Sequence, residues 1–125
     1  GGALAKALGQ KGHSIYLGSR DPSSVELKNL VAKIGKQASV HTIKEAVDKS
    51  EVILLATPWQ ITEELVKTLA PNLKGKILID CTNPLKADLS GLEIGHNYSG
   101  GETVQAVATG AKVFKAFNTT GFNIM

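Results

Sequence analysis

A doubly wound α/β fold built on a parallel sheet is the fold class that three features of this sequence predict. Apolar runs of strand length alternate along the chain with amphipathic stretches of helical period. Two of the runs, Val52 to Ala56 and Ile77 to Ile79, are apolar on both faces, as in strands that helices cover on each side. Small or polar residues follow the runs, at the strand ends where such sheets bind ligands.

The individual elements follow from these periods and from helix start and stop signals. The strands are predicted at Ser14 to Gly18, Ser39 to Thr42, Glu51 to Ala56, Lys76 to Cys81 and Lys112 to Asn118. The helices are predicted at Ala3 to Gln10, Ser23 to Ile34, Ile43 to Lys49, Thr62 to Ala70 and Gly101 to Thr109. No repeat, linker or low-complexity tract interrupts the 125 residues, so one domain is predicted.

The first helix begins directly at the chain start, after Gly1 and Gly2, and Gly12 is its stop signal. Gly1 is interpreted as the last glycine of a G-x-G-x-x-G fingerprint, where a side chain would hold the helix away from the sheet or a pyrophosphate. The alternative is an ordinary flexible terminus. The strand of that fingerprint is central in the order 3-2-1-4-5-6, so the second and fourth strands would lack the neighbour between them. We therefore expect residues 1–125 to form an N-terminally truncated, Rossmann-type dinucleotide-binding domain.

The pair Ser19-Arg20 closes the next strand, about twenty residues after the fingerprint, where this fold contacts the adenosine ribose. An acidic residue there takes the 2′-hydroxyl of NAD, whereas Arg accommodates the 2′-phosphate of NADP. The planar guanidinium of Arg20 suits a phosphate dianion, and the Ser19 hydroxyl can assist. The alternative is a solvent-exposed arginine after a strand. The pair predicts an NADP(H) site.

Asp21 has two interpretations. It can be the acidic ribose ligand of an NAD enzyme, or it can cap the following helix with Pro22 at the first helical position. We favour the cap. Ser23 and Ser24 can then contact a phosphate at the helix N-terminus, although exposed serines of a first turn are the simpler explanation.

The residues after the next buried strand are Thr57, Pro58 and Trp59. Thr57 and Pro58 are predicted to border the cofactor, with Pro58 stiffening the turn; alternatively they only begin a helix. Trp59 can stack on a ring, but we favour a hydrophobic staple, in which a residue just before a helix packs back onto it.

Further along the chain, Asn83 can hydrogen-bond a ribose or a carboxamide, or the Asn-Pro pair can simply start a turn. His96 can bind or orient an acceptor, since it titrates near neutrality, although a lone loop histidine is usually just exposed. Ser99 and Glu102 have the spacing of a capping box, which would place a helix N-terminus beside the nicotinamide site.

Lys115 interrupts an apolar strand, so it lies at a sheet edge, which we favour, or points into a pocket. Asn118 ends that strand and can contact an acceptor or a carboxamide, or merely satisfy loop backbone. His13, His41 and Cys81 are interpreted as structural, because their scatter has no metal-ligand spacing.

Composition sets broad limits. The formal net charge of +3 is mild, and no basic cluster interleaved with aromatic residues indicates nucleic-acid binding. A single cysteine excludes an internal disulfide framework, and no signal-peptide or membrane-length apolar run is visible. A cytoplasmic location is the resulting expectation.

Five motifs in this order resemble the NADP-dependent deazaflavin-coenzyme oxidoreductase family, and the cytoplasmic domain of the six-transmembrane metalloreductases is similar. They lie at Gly18 to Pro22, Leu55 to Trp59, Asp80 to Leu85, Gly95 to Glu102 and Lys115 to Thr119. The resemblance covers essentially the whole chain. Two parts of the family pattern are missing from the sequence: the first strand, and the C-terminal segment that in the family completes the acceptor pocket and the dimer contact.

The resemblance implies that NADP(H) binds to a Rossmann domain and exchanges hydride with a flavin or an 8-hydroxy-5-deazaflavin, a small-molecule acceptor that lies against the nicotinamide. It also implies a homodimer as the candidate assembly. The candidate cofactor-binding residues are Gly1, Ser19, Arg20, Thr57, Pro58, Asn83, His96 and Asn118. No catalytic side chain is assigned, because hydride transfer needs alignment rather than a protein nucleophile.

Two other functions stay open. One is a reductase of a small imine or carbonyl compound, such as a pyrroline carboxylate, which would need a proton donor that the sequence does not reveal. The other is a non-catalytic NADP(H)-binding module that senses redox state. Hydride transfer to a flavin or deazaflavin would separate the enzyme from the module.

Overall fold

The computed structural model describes residues 1–91 and 99–119, and in them five helices alternate with five strands. In chain order these are α1 (Gly2–Gln10), β1 (Ile15–Ser19), α2 (Val25–Ile34), β2 (Ala38–Thr42), α3 (Ile43–Lys49), β3 (Val52–Leu55), α4 (Trp59–Leu73), β4 (Ile77–Asp80), α5 (Gly100–Val107) and β5 (Lys112–Lys115). Every strand pair among them is parallel. The predicted α/β class and all ten predicted elements are confirmed.

The chain forms two compact units, of which the first holds residues 1–50. In this unit β1 and β2 pair in parallel from Ile15 opposite Ala38 to Ser19 opposite Thr42. A Cβ atom added to Gly9 of α1 would lie only 2.3 Å from Cγ2 of Ile34 in α2. Glycine therefore allows these two helices to approach closely. The core of the unit is formed by Ala5, Ile34 and Ala38 with Ile15, Leu17, Leu30 and Val31 around them.

The second unit holds the described residues from Glu51 onward, and its sheet has the order β3-β4-β5. Leu78 and Asp80 share one face of β4, and both are fully buried. The opposite face is more open, because Val52, Ile77 and Phe114 are 48%, 37% and 55% exposed. The middle of this face is partly covered, since Leu54 and Ile79 are half-buried, so the expected cover on both faces is complete on one face and partial on the other.

Both sheets have open edges among the described residues, at β1 and β2 in the first unit and at β3 and β5 in the second. Among the described residues β1 pairs with β2 alone, and β3 pairs with β4 alone. Over the same residues, none of the helices has the length and apolar character that crossing a bilayer requires.

Several boundaries differ from the predicted ones. Helix α4 begins at Trp59 and continues through Pro71, which lies in its last turn, to Leu73. Strand β5 ends at Lys115, and Phe117 then adopts a left-handed φ of 64°, which ends the extended conformation. Helix α1 ends as predicted, because Gly12 has a φ of 89°.

Candidate functional site

A cavity of about 250 Å³ opens at the carboxyl ends of β3 and β4 in the second unit. Three of the predicted site residues, Thr57, Pro58 and Asn83, line this cavity together. The remaining lining residues are Trp59, Gln60, Leu85, Lys86, Ala87 and Leu89. Its wall combines hydroxyl and amide groups with apolar side chains, which is typical of a site for a small molecule.

Hydrogen bonds hold the β3–α4 side of this wall. The Thr62 hydroxyl, which is fully buried, donates to the Pro58 carbonyl at 2.9 Å. The Thr57 hydroxyl lies 2.8 Å from Thr62 Oγ1 and therefore donates to it. Gln60 Nε2 donates to the Leu85 carbonyl at 2.9 Å, so the start of α4 is tied to the loop that follows β4.

The loop after β4 is held by Asp80, a residue that the sequence reasoning missed. Its Oδ1 accepts hydrogen bonds from the Thr82 amide at 2.9 Å and from the Thr82 hydroxyl at 2.6 Å. Its Oδ2 lies 3.0 Å from Nζ of Lys115. The available signals were an acidic residue at the end of an apolar strand and a lysine inside another one.

Lys115 lies on an edge strand, the interpretation that we favoured, and its side chain binds a buried carboxylate rather than lining the cavity. Strand β5 is the edge of its sheet, as favoured, and yet the ammonium group turns back to Asp80 and also donates to the Thr82 carbonyl. Its side chain is 29% exposed. A lysine at a sheet edge thereby neutralises a carboxylate in the interior.

Cys81 lies between these two loop residues, Asp80 and Thr82, and its Sγ donates weakly to the Ile79 carbonyl at 3.7 Å. Burial raises the pKa of this thiol, and the negative charge of Asp80 raises it further. The thiol is therefore protonated at neutral pH, as befits a structural cysteine.

The first turn of α5 packs beside the same walls. A Cβ atom added to Gly100 would lie 3.3 Å from Cζ3 of Trp59 and 3.4 Å from Cγ of Pro84. The predicted capping box is present, because Ser99 and Glu102 exchange both of its hydrogen bonds. The staple interpretation of Trp59 is wrong, since Trp59 is the first residue of α4 rather than the residue before its cap. Its indole is nevertheless buried, at 8% exposure.

In the first unit, Arg20 follows β1 and is exposed. The Ser19 hydroxyl accepts from the Asp21 amide at 3.0 Å and donates to the Asp21 carbonyl at 3.1 Å. The assignment of Asp21 as helix cap is wrong: α2 begins at Val25 with Ser24 as its N-cap. Asp21 instead accepts from the amide and the hydroxyl of Ser23, which lower the pKa of its carboxyl. This local turn competes with the cap because both use the same carboxylate oxygens.

The other candidates are scattered. Gly1 is exposed and is the N-cap of α1, where its carbonyl accepts from the Ala5 amide at 3.0 Å. Asn118 is exposed beyond β5, and His96 lies outside the described residues. His41 has structural contacts, as expected, with Ser39 Oγ 2.8 Å from its Nε2. No group of three or more metal-ligating side chains occurs within residues 1–91 and 99–119.

Comparisons with known proteins found a matching family and several similar proteins. Residues 1–84 match the family described as NADP oxidoreductase, coenzyme F420-dependent. The chain is 33% identical over 116 residues to the metalloreductase STEAP3 of Rattus norvegicus, an overlap of 93% of this chain and 22% of that protein. It is 31% identical over 93 residues to the F420-dependent NADP reductase of Methanothermobacter marburgensis, covering 70% and 42%.

A solved structure described as an F420-dependent NADP-reductase from Arthrobacter sp. FB24 superposes on 99% of this chain and 60% of that chain. Its TM-score is 0.87 at 28% sequence identity. The chain therefore spans between 22% and 60% of the length of these three proteins.

Proposed function

The chain belongs to the coenzyme F420-dependent family of NADP oxidoreductases, and on that premise we propose that it binds NADP(H) and aligns the nicotinamide for hydride exchange with a deazaflavin or flavin. The cavity at the carboxyl ends of β3 and β4 is the observation that carries this proposal. Ligands of open α/β sheets bind at this position. Coenzyme F420 itself, a deazaflavin named in the family's description, is the first acceptor to test.

The cavity wall suits the nicotinamide and its ribose. The exposed Asn83 amide offers both donors and an acceptor to a carboxamide or a sugar hydroxyl. The Thr57 hydroxyl donates to Thr62, which leaves its own oxygen free to accept from a ribose. Pro58 and the half-buried Leu85 supply apolar surface for a planar ring. We assign Thr57, Pro58 and Asn83 to this end of the cofactor.

In this proposal, these residues align the nicotinamide with the acceptor. NADPH supplies the hydride, which leaves with its electron pair and reduces the acceptor while the nicotinamide is oxidised. Orientation of two reactants can lower a barrier by about 7 to 11 kcal/mol, so such a site needs no nucleophile of its own. Among the lining residues, Lys86 is the one with a charged side chain.

We assign the adenosine 2′-phosphate to Arg20 and Ser19. The Asp21 carboxylate is engaged by Ser23, which supports a phosphate-accepting turn over an acidic ligand for the 2′-hydroxyl of NAD. The proposal keeps Gly1 at the pyrophosphate, and His96 and Asn118 near the nicotinamide or its acceptor.

NADPH oxidation by the full chain, followed by absorbance with F420, FMN and FAD in turn, tests this function. Turnover with F420 is the expected result, and turnover with FMN or FAD alone would replace the deazaflavin with a flavin. Binding of NADPH with no turnover on any of them would instead favour the redox-sensing module. Oxidation by a pyrroline carboxylate alone would favour the imine reductase.

A further inference from the structure

Within residues 1–91 and 99–119, Asp80 is the most deeply buried ionisable group that the proposed chemistry does not use. Its exposed fraction is 0%, although a carboxylate in that position loses the water that would solvate its charge. Both of its oxygens are occupied, Oδ1 by Thr82 and Oδ2 by Lys115. The loss of hydration is therefore offset at both carboxylate oxygens, by hydrogen bonds from Thr82 at one and by the charge of Lys115 at the other.

These contacts converge on a single peptide segment. Asp80 accepts from the amide and the hydroxyl of Thr82, while Lys115 donates to the Thr82 carbonyl. Every polar group of Thr82 is thus held by one ion pair, and Thr82 is only 2% exposed. Lys115 is itself placed by the sheet, because it is the register partner of Asp80 on the neighbouring strand.

Asn83 is the next residue, and it is exposed and is the first residue after β4 that lines the cavity. Its carbonyl accepts from the Leu85 amide at 2.8 Å, which continues the constraint through Pro84. The backbone of Asn83 is therefore held on both sides, by its own turn to Leu85 and by Thr82, which Asp80 and Lys115 bind. A binding group that is already held in place loses less conformational entropy when a ligand binds.

We propose that Asp80 and Lys115 are positioning residues, whose ion pair holds Thr82 so that the Asn83 amide is directed toward the nicotinamide nucleotide. This inference rests on the proposed function, because it assigns that nucleotide to the cavity. It adds a role for two residues that do not touch the ligand. The ion pair acts on affinity through Asn83 alone.

The test is a double-mutant cycle on NADPH affinity, measured by fluorescence titration of the full chain. Asn83→Ala and Asp80→Ala are each expected to weaken binding about tenfold, the loss typical of one good hydrogen bond to a polar ligand. Because both changes remove the same contact, the double variant should also be about tenfold weaker. A loss of about a hundredfold would show independent effects and overturn the inference.

Two further variants separate positioning from stability. Asp80→Asn keeps an oxygen that can accept from Thr82, so it should bind NADPH more tightly than Asp80→Ala. If the alanine variant does not fold, Asp80→Asn replaces it in the double-mutant cycle. Val66→Ala creates a cavity beneath α4, away from the lining residues. It should lower thermal stability and leave the dissociation constant unchanged. An equal loss of affinity in Val66→Ala would overturn the positioning role.

The outcomes also separate this inference from the proposed function. If the unmutated protein does not bind NADPH, the proposed function is refuted. Weakened binding in Asn83→Ala with native binding in Asp80→Ala leaves the function intact and refutes the positioning role. Native binding in Asn83→Ala removes Asn83 from the site and refutes the positioning role as well.

Discussion

Nζ of Lys115 lies 3.0 Å from Oδ2 of Asp80, so a lysine on an edge strand pairs with a fully buried carboxylate. The two residues are 35 positions apart, and the parallel register of β4 and β5 places them opposite each other. The same ammonium group also binds the Thr82 carbonyl. The pairing of β4 with β5 therefore brings together an ion pair that also holds the loop after β4.

Lys115→Met should destabilise the protein, because it leaves the Asp80 carboxylate buried without its counter-ion. Removing one partner of a buried pair costs about 3 to 5 kcal/mol, and the partial exposure of Lys115 favours the lower end, about 3 kcal/mol. Urea unfolding of the native protein and the variant measures this loss. Adding Asp80→Asn should restore part of the stability, since the pair is then neutral; a further loss in the double variant would contradict this account.

Arg20→Ala should weaken NADPH binding about tenfold or more and leave NADH binding nearly unchanged. A charge-assisted contact to phosphate contributes about 1.5 to 3 kcal/mol, and each 1.4 kcal/mol is about tenfold in affinity. Fluorescence titration with both nucleotides measures the difference. Lys33→Ala, which removes an exposed positive charge from α2, is the matched control. Equal losses for NADPH and NADH would remove Arg20 from the 2′-phosphate site.

Glu102→Gln should lower stability at neutral pH and have less effect in acid. The amide and hydroxyl of Ser99 lower the pKa of the Glu102 carboxyl below its ordinary value of 4.5. A lowered pKa in the folded state adds stability that is present above the unfolded pKa and lost as the pH falls through the folded pKa. The difference in melting temperature between native protein and variant should thus shrink below pH 4.5. Glu64→Gln, a charge change on α4, serves as the control; a difference that stays constant with pH would contradict the prediction.

Cys81 should react slowly with a thiol reagent at neutral pH, because the thiolate is the reactive form and burial raises the pKa of this thiol above the ordinary 9.0. It is the single cysteine of the chain, so labelling reports this position alone. Asp80→Asn removes the neighbouring negative charge, which is the second cause of the raised pKa, and should move the rate profile to lower pH. The measurement is the labelling rate of Cys81 as a function of pH in the native protein and in Asp80→Asn, with the urea-unfolded chain as the reference. A native rate equal to the unfolded one would show that the thiol is unperturbed.

Gly9→Ala should destabilise the first unit, because the new methyl group would lie 2.3 Å from Cγ2 of Ile34. Overpacking of this kind costs about 1 to 3 kcal/mol. Gly2→Ala is the matched control in the same helix, where the added Cβ meets Leu30 Cδ2 at an ordinary 3.6 Å. It should be neutral or stabilising by up to about 1 kcal/mol, as alanine favours helix. Thermal melts compare them, and equal effects would argue against the close approach of α1 and α2.

The alternation of strands and helices could be predicted from the order of residues, because hydrophobic period and helix signals are local properties. Helix α3 was predicted with its observed bounds, and the Ser99–Glu102 capping box formed as its spacing indicated. The residues that follow β3 and β4 were also correctly expected at one edge, since parallel strands place their carboxyl ends together. Thr57, Pro58 and Asn83 accordingly line one cavity.

Tertiary structure alone decided the contacts between residues distant in sequence and the choice between competing local ones. Nothing local distinguishes Asp21 as a helix cap from Asp21 as the acceptor in a turn with Ser23, and the turn formed. The partner of Lys115 depends on which strand lies beside β5, and the burial of Trp59 beside Gly100 depends on how α4 and α5 pack. Asp80 became part of the site only because folding removed it from water and placed a lysine opposite, a relation that no sequence period contains.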